Sequence, residues 1–287
     1  MRANMSGAVH DFHPEFVHEL RVATRRARSA LRLFKLLFEQ EQSTALAEEL
    51  GWIARLLGAV RDLDVLTARL EAQFELTGAA QDFRDAVRKA FHARRTRAVS
   101  ELVPALTSER FARLLRTLED TIPSAAPQRA DAAVPEKDLP AGQFARRRID
   151  KAFSKLAALV DRPPESLSDA ELHRVRILFK RLRYMCEFFR PLLGDDAAGL
   201  IGAFVGYQDC LGLHQDASAA LRMLGETRED VPSDDRSEAF LLSMGAMLQV
   251  QRDIQKTQRE VFARRWASAG ELMALWKRMR SAMGDRG

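Results

Sequence analysis

One basic segment is written twice in this chain, and this repetition constrains the fold more than any other feature. The first copy, His18–Arg28, reads HELRVATRRAR, and the second copy, His173–Arg183, reads HRVRILFKRLR. On a helix of 3.6 residues per turn, the cationic residues at every third or fourth position of each copy fall within a sector of roughly 80°. Like charges one turn apart destabilise a helix, so the pattern indicates a surface that contacts a polyanion.

We call these two cationic faces the basic stripes. The first comprises His18, Arg21, Arg25, Arg28 and Arg32, and the second comprises His173, Arg176, Lys180 and Arg183. Between residues 18 and 35 the acidic residue is Glu19 alone, and between residues 173 and 190 it is Glu187 alone. Because the net charge of the chain is only +5, the distribution of charge, and not its total, predicts an anionic partner.

Apolar residues recur at helical spacing along nearly the whole chain. The periodic stretches are 14–40, 43–76, 79–103, 108–121, 142–161, 168–193, 196–225, 236–266 and 268–284. No stretch shows the alternating pattern of a half-buried strand. Pro14 suits a first helical turn, Ser43 and Ser108 are candidate N-caps, and Ser168 with Glu171 has the spacing of a capping box. The sequence therefore predicts an all-α protein.

A second matched motif supports an internal duplication. Asp62 lies four residues after the glycine of Leu57-Gly58, and Asp216 lies four residues after the glycine of Leu211-Gly212. Each Leu-Gly begins about forty residues after the histidine of its basic segment. The stretch 122–141 is rich in proline and lacks periodicity, which indicates a linker. We therefore predict a first helical half over residues 1–121, a linker over 122–141 and a second helical half over 142–287.

Other sequence features exclude several classes of protein. Cys186 and Cys210 lie in apolar helical context and are expected to be buried, with no disulfide or zinc spacing. The N-terminus lacks the apolar core of a secretory signal, and no apolar run is long enough for a membrane span. No glycine-rich phosphate loop occurs. We expect a cytoplasmic protein without a membrane span.

Several residues admit two interpretations. His18 and His173 are packing residues or ligands for an anion, and a metal site is not expected because Arg21 and Val22 follow His18 at one-turn spacing. Asp62, Asp64 and Asp216 are acids for phosphoryl chemistry with magnesium, or, as we favour, partners that orient arginines on the basic helices. Gly58 and Gly212 are expected to permit close helix packing.

Two further basic clusters are candidate extensions of the cationic surface or simply solvent-facing. The first comprises Arg84, Arg88, His92 and Arg95, and the second comprises Arg252, Lys256 and Arg259.

The paired motifs resemble the CHAD family, the conserved histidine α-helical domain. The resemblance rests on VHELRVATRRARSALRLF and LHRVRILFKRLRYMCEFF, each followed by Leu-Gly-x3-Asp, and extends from residue 15 to residue 280. It implies two pseudo-symmetric antiparallel four-helix bundles flanking a basic cleft or pore, inorganic polyphosphate as the ligand, and association with polyphosphate granules. The polyphosphate-binding residues that it implies are His18, Arg21, Arg25, Arg26, Arg28, His173, Arg176, Lys180, Arg181 and Arg183.

The first half departs from the family pattern at its start. A helix over 142–161 precedes the second basic segment, whereas little sequence precedes His18, so we expect the opening helix of the first half to be shortened. No triphosphate-tunnel domain accompanies the pattern, and we expect a stand-alone module.

The leading functional expectation is non-catalytic binding of polyphosphate, with no cofactor, no metal and no enzymatic activity. Granule-associated proteins are further expected partners. Nucleic-acid binding is an alternative, but the phenylalanines of the second segment, Phe188 and Phe189, follow its apolar face and not its charged face. A metal-dependent phosphohydrolase acting on polyphosphate is the other alternative.

Overall fold

The chain is described here by a computed structural model that covers residues 1–11, 13–124, 139–160, 162–194 and 197–284. No strand occurs in these ranges, and the prediction of an all-α protein is confirmed. The α-helices are α1 Met5–Val9, α2 Pro14–Leu33, α3 Gln40–Thr77, α4 Gln81–Thr107, α5 Glu109–Ser124, α6 Ala141–Val160, α7 Asp169–Phe188, α8 Arg190–Leu193, α9 Ala197–Asp230, α10 Glu238–Ala267 and α11 Ala269–Gly284.

Most of the predicted helix starts carry the expected caps. Pro14 occupies the first turn of α2, where its missing N–H costs nothing. The Oγ of Ser108 accepts the N–H of Phe111 at 3.2 Å at the start of α5. Ser168 and Glu171 form a complete capping box at the start of α7. The cap predicted at Ser43 is wrong, because α3 already begins at Gln40 and Ser43 is buried inside it.

Two predicted helices are shorter than their apolar periodicity suggested. Helix α2 ends at Leu33, and a 3₁₀ turn at Lys35–Leu37 follows it. The stretch 168–193 divides into α7 and α8, because Pro191 cannot continue the hydrogen-bond ladder of α7. Periodicity persists across both breaks because the flanking turns still bury apolar side chains.

The described residues group into two compact units. The first unit is Met1–Ala126 together with Ser218–Arg252, and the second is Pro127–Ala217 together with Asp253–Gly287. This division differs from the two sequence halves, because residues 218–252 belong to the second half but pack in the first unit. The halves concern duplication of the sequence and stay a prediction. Of the predicted linker 122–141, residues 125–138 lie outside the described part of the chain.

Two apolar clusters form the core of the first unit. One joins α2 to α3, α4 and α5 through side chains such as Leu20, Leu50 and Phe111. The other joins the end of α3 and the start of α4 to residues 220–247 of α9 and α10. Leu63 of α3 packs against both clusters. The length of α3 therefore lets one helix serve two cores.

Aromatic side chains dominate the core of the second unit. Phe179 of α7 stacks on Tyr207 of α9, with ring centroids 4.1 Å apart, and Trp266 of α10 meets both rings edge-on. Cys186 and Cys210 are buried, as predicted. Burial raises the pKa of the Cys186 thiol to about 12.

Among the described helices, none combines the length and the apolar character that a membrane crossing requires.

Candidate functional site

The first basic stripe lies on α2, which is fixed to the first unit by its opposite face. Val17, Leu20 and Thr24 are buried, and the Thr24 hydroxyl donates to the carbonyl of Leu20 at 2.8 Å. Arg26 is exposed, whereas the other arginines of the implied site on this helix are half-buried. Burial of one face therefore leaves the cations along the edge and the outside of the helix.

Arg21 is held against α3 by the Leu-Gly-x3-Asp motif. Its Nη1 donates to Asp62 Oδ1 at 2.7 Å and to the carbonyl of Gly58 at 3.2 Å. A Cβ atom added to Gly58 would lie 3.3 Å from this Nη1, tighter than an ordinary contact. The prediction that Asp62 pairs with the basic helix is confirmed. The space at Gly58 accommodates an arginine side chain, and this explains the glycine in that motif.

The second basic stripe shows part of this arrangement within the second unit. Arg176 of α7 lies over Gly212 of α9, with its Nε and Nη2 3.9 Å from the position of an added Cβ. The Nε of Arg176 is buried and has no hydrogen-bond partner among the described residues. His173, one turn earlier, shares a hydrogen bond of 3.0 Å between its Nδ1 and Gln215 Oε1. Arg21 and Arg176 therefore both lie beside the glycine of their motif, but Arg176 lies further from it and lacks the bonds that hold Arg21 to Gly58 and Asp62.

The other cations of the implied site differ in their partners. Within the described part of the chain, Arg26, Arg28 and Arg181 have no carboxylate at ion-pair distance. Arg183 pairs with Glu187 at 2.6 Å and is already partly neutralised. Arg25 and Lys180 are half-buried and have contacts of their own.

A basic groove at the end of α2 was not predicted from the sequence. It has a volume of about 370 Å³ and lies between α2 and α3. Arg28, Arg32, Lys35 and Arg55 line it together with a single acid, Glu48. The residue that could have indicated this groove in the sequence is Arg55, which lies on α3 one turn after Gly51 and lines the groove. The first stripe therefore continues into a cationic depression.

The first of the two further basic clusters is neutralised by carboxylates of its own unit. Arg95 donates to Asp64 at 2.7 Å and to both carboxylate oxygens of Asp11. This pairing holds the pKa of the Asp11 carboxyl below its usual value. Asp64 thus pairs with α4, and its predicted pairing with the basic helix is wrong.

Arg84 and Arg88 in the same cluster are also paired. Arg84 contacts Glu75 at 2.6 Å, and Arg88 contacts Glu71 at 2.7 Å. These arginines connect α4 to α3 and do not extend the cationic surface, whereas His92 is exposed.

The second further cluster is divided between the two units. Arg252 and Lys256 are exposed, whereas Arg259 donates to the carbonyl of Leu167 at 3.0 Å and to the Asp169 carboxylate. Arg259 therefore supports the start of α7.

The start of α7 is further held by an ion pair beside its capping box. Arg162 contacts Glu171, and this contact with the Ser168 hydrogen bonds lowers the pKa of the Glu171 carboxyl to about 2. The second basic helix therefore begins at a fixed position.

His18 lies in a cluster that the sequence interpretation overlooked. One ligand atom each from Glu15, His18 and Glu19 lie within 4.8 Å of one another. Arg21 and Val22, one turn after His18, are not metal ligands, whereas Glu15, which lies one turn before His18, can be one. The two carboxylates are exposed.

Three comparisons relate this geometry to known proteins. The family model for the CHAD domain matches residues 1–225. Two relatives from strains of Mycobacterium tuberculosis, uncharacterized protein MT2285 and uncharacterized protein Rv2226, are each 30% identical over 206 residues. These matches cover 70% of this chain and 38% of each relative, so the chain spans well under half the length of either. PptA from Streptomyces chartreusis has a similar structure, with a TM-score of 0.63, 22% identity, and coverage of 93% of this chain and 96% of that chain.

Proposed function

Because the chain belongs to the CHAD domain family, we propose that it binds inorganic polyphosphate without chemically altering it. The residues to which we assign this binding are His18, Arg21, Arg25, Arg26, Arg28, His173, Arg176, Lys180, Arg181 and Arg183.

The observation that carries the proposal is the placement of Arg21 and Arg176. Each is the first arginine of a basic stripe, and each lies beside the glycine of a Leu-Gly-x3-Asp motif in its own unit. Arg21 is held there by Gly58 and Asp62, and Arg176 is half-buried beside Gly212. A long side chain loses rotamer freedom when it binds a ligand, and a side chain that is already confined loses less. This confinement supports a role of both residues in binding.

The chemistry of the stripes fits phosphate better than other anions. A guanidinium group matches phosphate oxygens with two parallel hydrogen bonds, and arginine stays charged at any accessible pH. A linear polyphosphate repeats its charge along its length, as a stripe of cations at one-turn spacing does. The groove lined by Arg28, Arg32 and Arg55 offers further contacts to such a chain.

The two alternatives receive less support. Metal-dependent hydrolysis by Asp62 and Asp64 requires that these carboxylates be available for a cation, but Asp62 is paired with Arg21 and Asp64 with Arg95. Binding of single-stranded nucleic acid relies on exposed aromatic rings, but Tyr184 and Phe189 beside the second stripe are buried.

The proposal includes the architecture and location that the family resemblance implies. It assigns the two halves to pseudo-symmetric four-helix bundles whose stripes border a basic cleft or pore. It also assigns the protein to the cytoplasm, at polyphosphate granules and together with granule-associated proteins.

The test compares two double charge reversals in the binding of long-chain polyphosphate. The first, Arg21→Glu with Arg176→Glu, reverses the first arginine of each stripe and should weaken binding by about a hundredfold or more, since each charged hydrogen bond contributes about 1.5–3 kcal/mol. The matched control, Arg97→Glu with Arg147→Glu, reverses one exposed arginine of each unit outside the proposed binding residues. Circular dichroism checks that both variants fold.

Equal affinity of the first variant and the wild type would remove the stripes as the site. Release of phosphate from the polymer during incubation would instead establish a hydrolytic activity and overturn the non-catalytic assignment.

A further inference from the structure

A third arginine in this chain lies on a helical glycine, outside both basic stripes. The guanidinium of Arg265, near the end of α10, lies on Gly206 of α9. A Cβ atom added to Gly206 would be 2.5 Å from Arg265 Nη1 and 2.9 Å from its Cζ. This approach is closer than that of Arg21 to Gly58, so the glycine is required for Arg265 to keep its place.

The backbone beside Arg265 is fixed as well. The hydroxyl of Tyr207 donates to the carbonyl of Arg265, and the Tyr207 ring is buried against Phe179. Burial raises the pKa of the Tyr207 phenol to about 12, so the hydroxyl stays a donor over the physiological range. The end of α10 is thereby held against α9.

The partner of the guanidinium is what distinguishes this arrangement from the first stripe. Asp62 lies four residues after Gly58 and pairs with Arg21. The position four residues after Gly206 is Cys210, which is buried and uncharged at neutral pH. Within the described residues, no hydrogen bond or ion pair engages the guanidinium of Arg265. Arg265 is also one of the residues that line the pocket beside it.

That pocket belongs to the second unit and carries an excess of positive charge. It has a volume of about 530 Å³, and its walls include Arg264, Arg265 and Arg278 with Glu271 as the single acid. Its floor is apolar, with Leu272 among its residues. A volume of several hundred Å³ suits a small ligand.

The residue before α11 contributes a donor to the same pocket. Ser268, which directly precedes α11, lines the pocket with its hydroxyl-bearing side chain. Ser268 and the three arginines are the hydrogen-bond donors that the lining residues offer to a tetrahedral oxyanion.

We propose that this pocket is a second phosphate-binding site, independent of the basic stripes, which takes a terminal phosphate group. The group belongs to a small phosphorylated molecule or to the end of an oligophosphate. Arg265 binds it from its place beside Gly206, Arg264 and Arg278 neutralise it, and the Ser268 hydroxyl donates to it. Leu272 and its apolar neighbours contact the remainder of the ligand.

The experiment measures binding of pyrophosphate to the full chain by calorimetry, in a background that carries Arg21→Glu and Arg176→Glu. One site should remain in this background. Adding Arg265→Gln should weaken it by about tenfold or more, the loss expected for one charge-assisted hydrogen bond. Gly206→Ala should act in the same direction because the new methyl group displaces Arg265. Gly202→Ala, one turn earlier on α9 with nothing within 4 Å, is the matched control.

Inorganic phosphate and glycerol phosphate, titrated in parallel, separate the two sources of the terminal phosphate. Tighter binding of pyrophosphate assigns the site to an oligophosphate end, and tighter binding of the ester assigns it to a small metabolite. Absence of pyrophosphate binding in the stripe-reversed background overturns the proposal, and so does unchanged affinity in Arg265→Gln. Neither result bears on long-chain polyphosphate binding by the stripes, which is measured separately.

Discussion

Three glycines on long helices leave different amounts of space beneath an arginine. An added Cβ would be 3.9 Å from the nearest atom of Arg176 at Gly212, 3.3 Å from Arg21 at Gly58, and 2.5 Å from Arg265 at Gly206. Alanine stabilises a helix interior by roughly 0.5–1 kcal/mol relative to glycine. This stabilisation should therefore be complete where the methyl group fits and should be reduced where an arginine must move to make room for it.

The first prediction is a graded effect of alanine at these positions. Gly212→Ala should raise the free energy of unfolding by about 0.5–1 kcal/mol, whereas Gly58→Ala and Gly206→Ala should raise it less, because Arg21 and Arg265 must move aside. Urea unfolding of the three variants gives the order. An equal gain at all three positions would contradict the assigned arginine placements.

The second prediction concerns the Asp11–Arg95 pair. The folded pKa of Asp11 is depressed, so its stabilisation is present above the ordinary carboxyl pKa and is lost as pH falls through the folded value. Asp11→Asn should cost about 0.5–1 kcal/mol at neutral pH, as for a partly exposed pair. Asparagine also tolerates the positive φ of 50° at this position.

Thermal melts at neutral and acidic pH measure this difference. The melting temperatures of Asp11→Asn and the wild type should converge at low pH. Asp209→Asn, which removes an exposed carboxylate elsewhere, should show no such dependence. A pH-independent difference at Asp11 would assign the effect to packing.

The ion-pair partner of an acidic residue was predictable where the sequence repeats. The matched spacing of Gly58 with Asp62 and of Gly212 with Asp216 led to the pairing of Asp62 with the basic helix. Asp64 and Arg95 have no counterpart in the other half, and their partner, Asp11, lies far away in sequence. The arrangement of Gly206 with Arg265 was missed because the carboxylate that marks the other motifs is replaced by Cys210.

At the scale of helices, the third prediction concerns the start of α7. Ser168→Ala removes a hydroxyl that accepts the N–H of Glu171 and should lower the free energy of unfolding by about 1 kcal/mol. The start of the second stripe, at His173, should also become less ordered. Ser154→Ala on α6, whose hydroxyl only returns to the carbonyl of Asp150, is the control.

Urea unfolding measures the stability of both serine variants. A cost at Ser154 equal to that at Ser168 would show that the capping box is not responsible.

The positions of the helices could be predicted from the apolar periodicity, but the residues at which they end could not. A start such as Ser168 is encoded by side chains that bond the backbone locally, which makes it recognisable in sequence. The end of α2 at Leu33 has no such local signal, since apolar residues continue through Phe38.

At the scale of the molecule, the effect of net charge on polyphosphate binding can be separated from the effect of the charges on the basic stripes. The fourth prediction is that polyphosphate affinity falls steeply with salt in the wild type, because binding releases counterions from the polymer. Arg21→Glu with Arg176→Glu should flatten this dependence. Arg97→Glu with Arg147→Glu gives the same net charge and should keep the slope. Equal slopes for the two variants would assign binding to the overall charge.

Membership of the family was predictable from the chain because its motifs are local, and the match over residues 1–225 confirms it. The grouping of residues 218–252 with the first unit was not predictable. The apolar contacts that draw Phe240 and Met244 to Phe83 depend on tertiary packing, and a helical period does not specify which neighbour covers a face.

The position of Leu63 has a consequence for the motions of the first unit. Since this side chain packs against both apolar clusters, loosening either cluster exposes part of the other. The backbone amides around Leu63 should therefore exchange with solvent only when the whole unit opens, whereas the outer turns of α3 can fray independently. The middle of α3 therefore couples the opening of one apolar cluster to the opening of the other.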